Sequence, residues 1–541
     1  MDPKLLSTIG AAGAAGDSVI GVEDVFKTYV YTGNASDKTI TNNINFDEGG
    51  LVWIKRRDGA SDHALVDTER GASQYISSNS TAANVATGAN NNFNSFTSTG
   101  FTLKDDNGND FFNKNNADYC SWSFRKQKKF FTICTWTGNG TQNHEISHDL
   151  NSVPGAIFIK KIAAPSGGSL SDSDWFVYHR SMDSSNPEQY GVTLNYNNAI
   201  GGARFSVQGD LNYYAPTSAH FKLGSGSRTN ESGATFVAYL FAHEEAEFGP
   251  NSDQKIISCS SYTGNGSSTG PTVTLPFEPG FLLIKGVGDE YWRMFDNMRG
   301  IVSGGNEAIL YPPLNSDEHA IDYIELTSTG FKVVSDNSAV NTNTSTYIYI
   351  AIAAETGKTM KAIETASDVF AMAVGNGSST IPAFTSGFPV DFGLWRKPAA
   401  AQDWLTAARL IQGKYLKTND TAAEAADGGS SFDSNTGLNT TYGRTDVYQA
   451  WQWKRSAGFD VVCWEGQNIQ PGVIPHSLGK IPEMMWVRKR SGGDWEVYHK
   501  GLNGGSSPET YSIKLNESDA EVNFSRWYST APTSTHFTVT K

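Results

Sequence analysis

An all-β fold of tandem β-sandwich or jelly-roll-like domains is predicted by three observations on the sequence. Short segments alternate apolar and polar residues between clusters of Gly, Asn, Ser, Asp and Pro, the pattern of antiparallel strands with one face buried. Four kinds of landmark recur along the chain, and self-similarity at a steady spacing marks a repeat architecture. The 541 residues are only 18% charged yet 12% aromatic, with 54 Gly, a turn-rich composition with a neutral, polar surface.

The first landmark is a strand ending in an aromatic and a Gly turn: KTYVYTGN from Lys27, TICTWTGNG from Thr132, IISCSSYTGNG from Ile256 and VVCWEGQN from Val461, with a weaker FAMAVGNG from Phe370. Next comes an apolar strand running into a basic residue, as LVWIKRR (Leu51), AIFIKKI (Ala156), FLLIKGV (Phe281), FGLWRKP (Phe392) and MMWVRKR (Met484). A second strand follows it: HALVDTERG, DWFVYHRSM, EYWRMFDNMRG, DWLTAARLIQG and DWEVYHKGL. A Ser/Thr-rich turn then leads to a Phe (Phe101, Phe221, Phe331, Phe432, Phe537), and an alternating aromatic strand closes four of the five copies, from Tyr119, Thr235, Tyr347 and Val447.

Matching landmarks lie roughly 95 to 125 residues apart, too far for a solenoid turn and suited to an independent small domain. The chain therefore divides into an N-terminal anchoring segment, 1–25, and five β-sandwich repeats, 26–131, 132–250, 251–358, a divergent 359–458 and an apparently incomplete 459–541. Trp53, Phe158 and Trp486 hold matching positions and are assigned to sandwich cores. Minor helices are expected at the N-terminus, at the start of Lys361–Phe370 and over Ala399–Leu416, which is rich in Ala and Leu at helical spacing. The fifth copy lacks the final aromatic strand within the sequence, which predicts an open sheet edge, closed by a longer product or by a strand from a partner.

Charge and cysteine content exclude several classes of function. Lys and Arg number 42 against 56 Asp and Glu, a formal charge of -14, which disfavours a phosphate-backbone footprint and so a nucleic-acid partner. The longest apolar stretch, Tyr347–Ala354, falls well short of the roughly 18 residues of a spanning helix, so no membrane insertion is expected. The opening MDPKLLSTIGAAGAAGD is mostly Ala and Gly in its apolar part and is taken as a packing peptide rather than a secretory signal. Four cysteines without a C-x-x-C pair make neither a disulfide scaffold nor a zinc knuckle.

Each chemical motif competes with a scaffold role. HEISH, His144 to His148, matches H-E-x-x-H, which binds zinc only on a helix. The flanking turns and the matching GVIPHSLGKIP, where His476 aligns with His148, favour a hydrogen-bonding histidine in a strand-to-turn connection. His179 and His499, and His220 and His536, recur in the same way. Cys134, Cys259 and Cys463 recur on one strand and are expected to be inert buried thiols. Asp105 to Asp110, DDNGND, departs from the order of a calcium loop. GSSTG, Gly266 to Gly270, is followed by PTVTLP rather than the helix a nucleophile elbow needs. Tyr213 and Tyr214 correspond to Trp527 and Tyr528, which favours packing over sugar stacking. A carboxylate pair for glycoside cleavage stays open, because its members can lie far apart in sequence.

Taken together, WIKRR, the TGNG turns, ISHDLNSVPG with IPHSLGKIP, DWxVYH, STGF and TFVAYLFAHE resemble tandem-repeat, tail-fibre-like virion structural proteins of tailed phages of marine bacteria. The resemblance covers nearly all of residues 26–541. It implies a non-enzymatic tail fibre or tail appendage component that extends from the particle and supports host attachment. It implies no catalytic, cofactor-binding or metal-binding residue and no cofactor. The implied partners are other tail proteins reached through the N-terminal segment, further copies of the chain, and a host surface glycan or protein. A glycan-binding or glycan-cleaving tailspike-type depolymerase and a capsid or tail decoration protein are the alternatives.

Overall fold

The computed structural model describes residues 19–540 except 87–92, 105–109, 201–210, 212–213, 428–430, 446 and 467–468. The chain is almost entirely β, and one sheet topology recurs. In the first unit β1 (Phe26–Thr32), β2 (Gly50–Arg56), β3 (Ala64–Asp67) and β4 (Asp118–Arg125) form an antiparallel sheet in the order β1-β4-β2-β3. The second unit repeats it with β5 (Phe131–Thr137), β6 (Ala156–Ala163), β7 (Phe176–His179) and β8 (Thr235–Phe241). In the third it is β9 (Ile257–Thr263), β10 (Pro279–Gly286), β11 (Arg293–Asp296) and β12 (Thr346–Ala353). The last aromatic strand of each unit thus lies between its first and second strands. A smaller sheet covers one face, pairing the strand after the Gly turn with the strand of the landmark Phe: Ile40 with Phe101, Ile146 with Phe221, Val273 with Phe331.

Strand alternation explains why the central strands read as unbroken apolar runs. In β2, Val52 and Ile54 point into the unit's own sandwich with Phe101 and Tyr119. Leu51 and Trp53, on the opposite face, join a second core with Trp122 and Phe124. That second core runs without interruption through the first three units. Phe26 meets Phe281 at 5.4 Å, Phe124 meets Phe241 at 5.8 Å and Phe158 meets Trp292 at 6.1 Å between ring centroids. The expectation of independent beads is corrected by this shared core: three main sheets each bury one face against the other two.

The fourth unit extends the sheet with β13 (Phe370–Val374), β14 (Phe392–Arg396), β15 (Leu405–Ala408), β16 (Lys414–Lys417) and β17 (Gln449–Trp453), ordered β13-β17-β14-β15-β16 and continued by Ala425–Ala426. Ala399–Leu416 is therefore not helical. Its LTAA segment pairs with Phe392–Trp395, and the sheet edge overrides helix propensity, leaving a 3-10 turn at Arg409–Ile411. Lys361–Phe370 likewise holds only a 3-10 turn, Ala366–Asp368, because Phe370 already pairs with Trp453. The described α-helices are single turns in the second and third units, α1 (Ser227–Asn230) and α2 (Ser338–Asn341). The expected N-terminal helix and most of the anchoring segment 1–25 lie outside the described residues.

The fifth unit is reduced to β18 (Met484–Val487), β19 (Glu496–His499) and β20 (Ile513–Lys514), with Gly472–Pro475 paired to His536–Val539. No strand forms over 461–466, where the repeat predicts one. Trp486 is corrected as a core residue: it is 37% exposed, against 3% for Trp53 and 1% for Phe158.

Candidate functional site

The recurrent side chains assemble at unit boundaries rather than in a cleft. His63, Trp175 and Trp292 immediately precede the third strand of their units, and each donates to a backbone carbonyl of another unit. His63 Nε2 reaches Tyr311 O at 3.0 Å, Trp175 Nε1 reaches Ser77 O at 2.9 Å and Trp292 Nε1 reaches Thr193 O at 2.8 Å. The first unit holds the third, the second holds the first, and the third holds the second, so the contacts close a ring. Trp53 Nε1 donates to His63 Nδ1 at 2.9 Å, which leaves the proton of His63 on Nε2, facing the carbonyl. Burial keeps this imidazole neutral, its pKa far below the ordinary value, with Lys55 adding to the effect.

A second set of contacts joins the same three pairs of units. Trp122 Nε1 donates to Asp296 Oδ2 at 3.0 Å, Tyr239 Oη donates to Asp67 Oδ2 at 2.7 Å, and His179 Nε2 meets Tyr349 O at 3.0 Å. Asp67 and Asp296 are each clamped by the arginine three residues on, Arg70 and Arg299, both at 2.6 Å. Trp122 also lies under the Arg299 guanidinium, 5.3 Å from its centroid. Arg57 extends the network, binding Glu318 at 2.9 Å and Asp433 at 2.7 Å. Burial pushes the Glu318 carboxyl up, but Arg299 and Arg57 outweigh it and hold the pKa below the usual range.

The basic residue ending each apolar strand is part of the same frame. Lys55, Lys160 and Lys285 are fully buried and donate to carbonyls: Lys55 to Arg56 O at 2.6 Å, Lys160 to Ser80 O of the first unit at 3.1 Å, Lys285 to Gly286 O and Gly288 O, both at 2.7 Å. Burial lowers their pKa values to about 8, 7 and 7.

The histidines of HEISH occupy a strand, His144–Ser147, and the turn after it. His144 Nδ1 meets Asn230 Oδ1 at 2.8 Å. His148 Nε2 meets Thr217 O at 3.2 Å, and His476 Nε2 meets the matching Thr533 O at 3.1 Å, the strand-to-turn bond that the repeat suggests. Cys134 and Cys259 are buried free thiols, and Cys463 is a half-buried one. Burial pushes Cys134 up to about 12 and Cys463 up to about 11. Asp110 pairs with Arg56 at 2.8 Å, while 105–109 lie outside the described residues. Gly266–Gly270 is a turn in which Ser267 Oγ and Thr269 Oγ1 are 3.0 Å apart. Trp527 is buried and Tyr528 exposed; Tyr214 is exposed beside Lys222, and Tyr213 lies outside the described residues.

Two asparagine devices recur through the units and are not singled out by the landmarks. Asn113, Asn230 and Asn341 are fully buried and accept from the backbone amide that follows the turn Gly, at 3.0, 2.9 and 2.7 Å. Separately, Asn79, Asn195, Asn419 and Asn516 bridge an Asp to the next residue's amide. Their Oδ1 atoms accept from His63, Trp175, Trp404 and Trp495 N, and their Nδ2 atoms donate to Asp62, Asp174, Asp403 and Asp494. An Asp-His or Asp-Trp pair with an Asn about one strand later was the available signal.

One cavity of about 60 Å³ lies where the first, third and fourth units meet, lined among others by Lys27, Glu278, Glu355, Asp391, Arg409 and Arg455. That is room for about two waters, not for a substrate. Its charges are paired: Lys454 with Glu355 at 2.7 Å, Arg455 with Asp460 at 2.7 Å and Arg409 with Asp391 at 2.9 Å. Burial pushes the Glu355 carboxyl up, yet Lys27 and Lys454 prevail and hold it far below the usual range.

The repeated frame extends over one family model, which matches residues 22–356 and 365–541 and is described as a domain of unknown function, DUF7483. The chain belongs to the DUF7483 family. The two matched stretches fall on the first three units and on the last two. No curated protein and no solved structure matches the chain.

Proposed function

We propose that this DUF7483 protein is a non-catalytic structural component of a phage virion, a tail fibre or tail appendage part that supports host-surface attachment. The observation that carries this reading is the use made of the reactive side chains. His63, His179, Asp67 and Asp296, the residue types from which catalytic sites are built, are committed to holding one unit against the next. The net charge of -14 favours a surface that does not adhere to packaged DNA. Placement in a tail rests on the resemblance of the repeat to tail-fibre-like proteins. Attachment to other tail proteins, assembly with further copies and contact with a host glycan or protein belong to the same proposal, and repetition of weak contacts through oligomerisation would supply avidity.

Mass spectrometry and antibody labelling of purified particles test this directly. A stoichiometric band located on the tail is the expected outcome. Absence from particles, or release of reducing sugar from host polysaccharide by the purified chain, would overturn it; labelling on the head shell would favour a decoration protein.

A further inference from the structure

Asn139–Gly140, Asn265–Gly266 and Asn376–Gly377 stand at the same turn of the second, third and fourth units. Locally the three pairs are alike. Each glycine is left-handed, with φ of 69°, 64° and 67°, and each asparagine is exposed. Each Asn Oδ1 accepts from the amide two residues on, Thr141, Ser267 and Ser378, at 2.9, 3.0 and 2.9 Å.

What differs is the acceptor of the glycine amide. Gly140 N donates to Asn230 O at 2.8 Å and Gly266 N to Asn341 O at 3.0 Å. The buried asparagine thus takes one turn amide on its side chain and the next on its backbone carbonyl. Asn230 and Asn341 stand five residues ahead of Thr235 and Thr346, which pair with Thr137 and Thr263 just before the turn. In the fourth unit Val374 pairs with Gln449, and the residue five ahead of it is Arg444, which is exposed. Asn376 N turns instead to Ala383 O at 3.0 Å, and Gly377 N has no acceptor among the described residues.

The amide that follows an asparagine is the nucleophile of succinimide closure. It gives its proton to hydroxide and attacks the side-chain Cγ; the N–Cγ bond forms, the Cγ–Nδ2 bond breaks, and Nδ2 departs as ammonia with a proton from water. Water then opens the ring at either carbonyl, leaving aspartate or isoaspartate. Glycine offers no side chain to hinder the approach. An amide held on the carbonyl of a buried asparagine cannot lose its proton without setting that oxygen against an anion.

We propose that Asn376–Gly377 is a self-modifying site, converting to aspartate and isoaspartate in the folded chain, while Asn230 and Asn341 protect the same dipeptide in the second and third units. Ser378 N lies on the Oδ1 that gains charge in the tetrahedral intermediate. The leaving Nδ2 lies against Thr380 O at 2.7 Å and Pro382 O at 3.0 Å. Its loss deprives both carbonyls of their donor and adds a negative charge, so modification unlatches the loop 376–383.

Peptide mapping of the full chain, aged in mildly alkaline buffer, tests this. The Asn376 peptide is expected to acquire the mass of the acid at least tenfold faster than the Asn139 and Asn265 peptides, with an isoaspartate fraction that isoaspartyl methyltransferase labels. In denaturant, where none of the three amides is held, the peptides should convert at similar rates. Asn376→Gln, whose longer side chain closes a ring far more slowly, should abolish the fast product. Conversion of Asn376 in the folded chain no faster than that of Asn139 and Asn265 overturns the proposal. So does the same tenfold ranking in denaturant, which would assign the difference to neighbouring sequence rather than to the held amide.

Discussion

Single buried polar groups set how stability responds to pH. Glu307 is fully buried, its Oε2 accepting from Tyr323 N at 2.7 Å while Oε1 has no partner. Burial raises its pKa to about 9, so the folded state favours the protonated form. Its contribution is complete below the unfolded value near 4.5 and is lost as pH rises towards 9. His179 has the opposite sign. Burial lowers it to about 4, and its contribution is present above 6.5 and is lost as pH falls through that lower value. Glu307→Gln, which removes the ionisable proton at nearly constant shape, is expected to raise stability at pH 8 by about 1–3 kcal/mol and to change little at pH 4.5. Denaturant unfolding of both proteins at the two pH values checks this; an equal shift at both would exclude Glu307 as the titrating group. Asn341 shows the cost of a missing partner. It accepts one amide and donates to Ser267 O and Ser335 O at 2.7 and 2.8 Å, so Asn341→Ala should cost about 2–3 kcal/mol, read as a lowered unfolding midpoint.

At the scale of elements, the Gly turn and the central strands were legible in sequence, but for partly hidden reasons. Gly33, Gly138 and Gly264 recur because another backbone crosses them: a Cβ on each would lie 2.1, 2.2 and 2.3 Å from the carbonyl oxygens of Lys114, Glu231 and Thr342. Gly264→Ala is therefore expected to lose about 2 kcal/mol or more, while Gly288→Ala, where nothing lies within 4 Å and φ is ordinary, stays within about 0.5 kcal/mol. Thermal melts of the two variants measure the contrast, and comparable losses would show that turn entropy, not the close approach, selects glycine. The strand predictions for the first three units rest on alternation and match the sheets. Ala399–Leu416 misled because local spacing of Ala and Leu says nothing about the adjacent edge of β14, whose free hydrogen-bonding groups impose an extended partner. The segment at 461–466 misled in the reverse sense. It keeps the composition of a first strand, yet no strand among the described residues pairs with it, so its pattern has no ladder to join.

Across the whole molecule, the repeat was visible but the ring was not, because no local pattern records that Trp122 finds Asp296 or that Tyr239 finds Asp67. These two contacts join residues 174 and 172 positions apart, and each donor looks in sequence like an ordinary core aromatic. What the ring changes is cooperativity. A row of independent sandwiches would unfold unit by unit, whereas three sheets sharing one core each expose a full apolar face if any one opens. Residues 22–360 should consequently unfold in a single calorimetric transition. Trp122→Ala removes a fully buried indole and its bond to Asp296, leaving the carboxylate only Arg299, and should cost about 3–5 kcal/mol. The decisive readout is where that loss is felt. Hydrogen exchange should accelerate by a similar factor in β4, in β8 of the second unit and in β12 of the third, although Trp122 belongs to the first. Acceleration confined to the first unit, with the other two melting at their original temperature, would mean that the boundaries are contacts between finished domains rather than parts of one core.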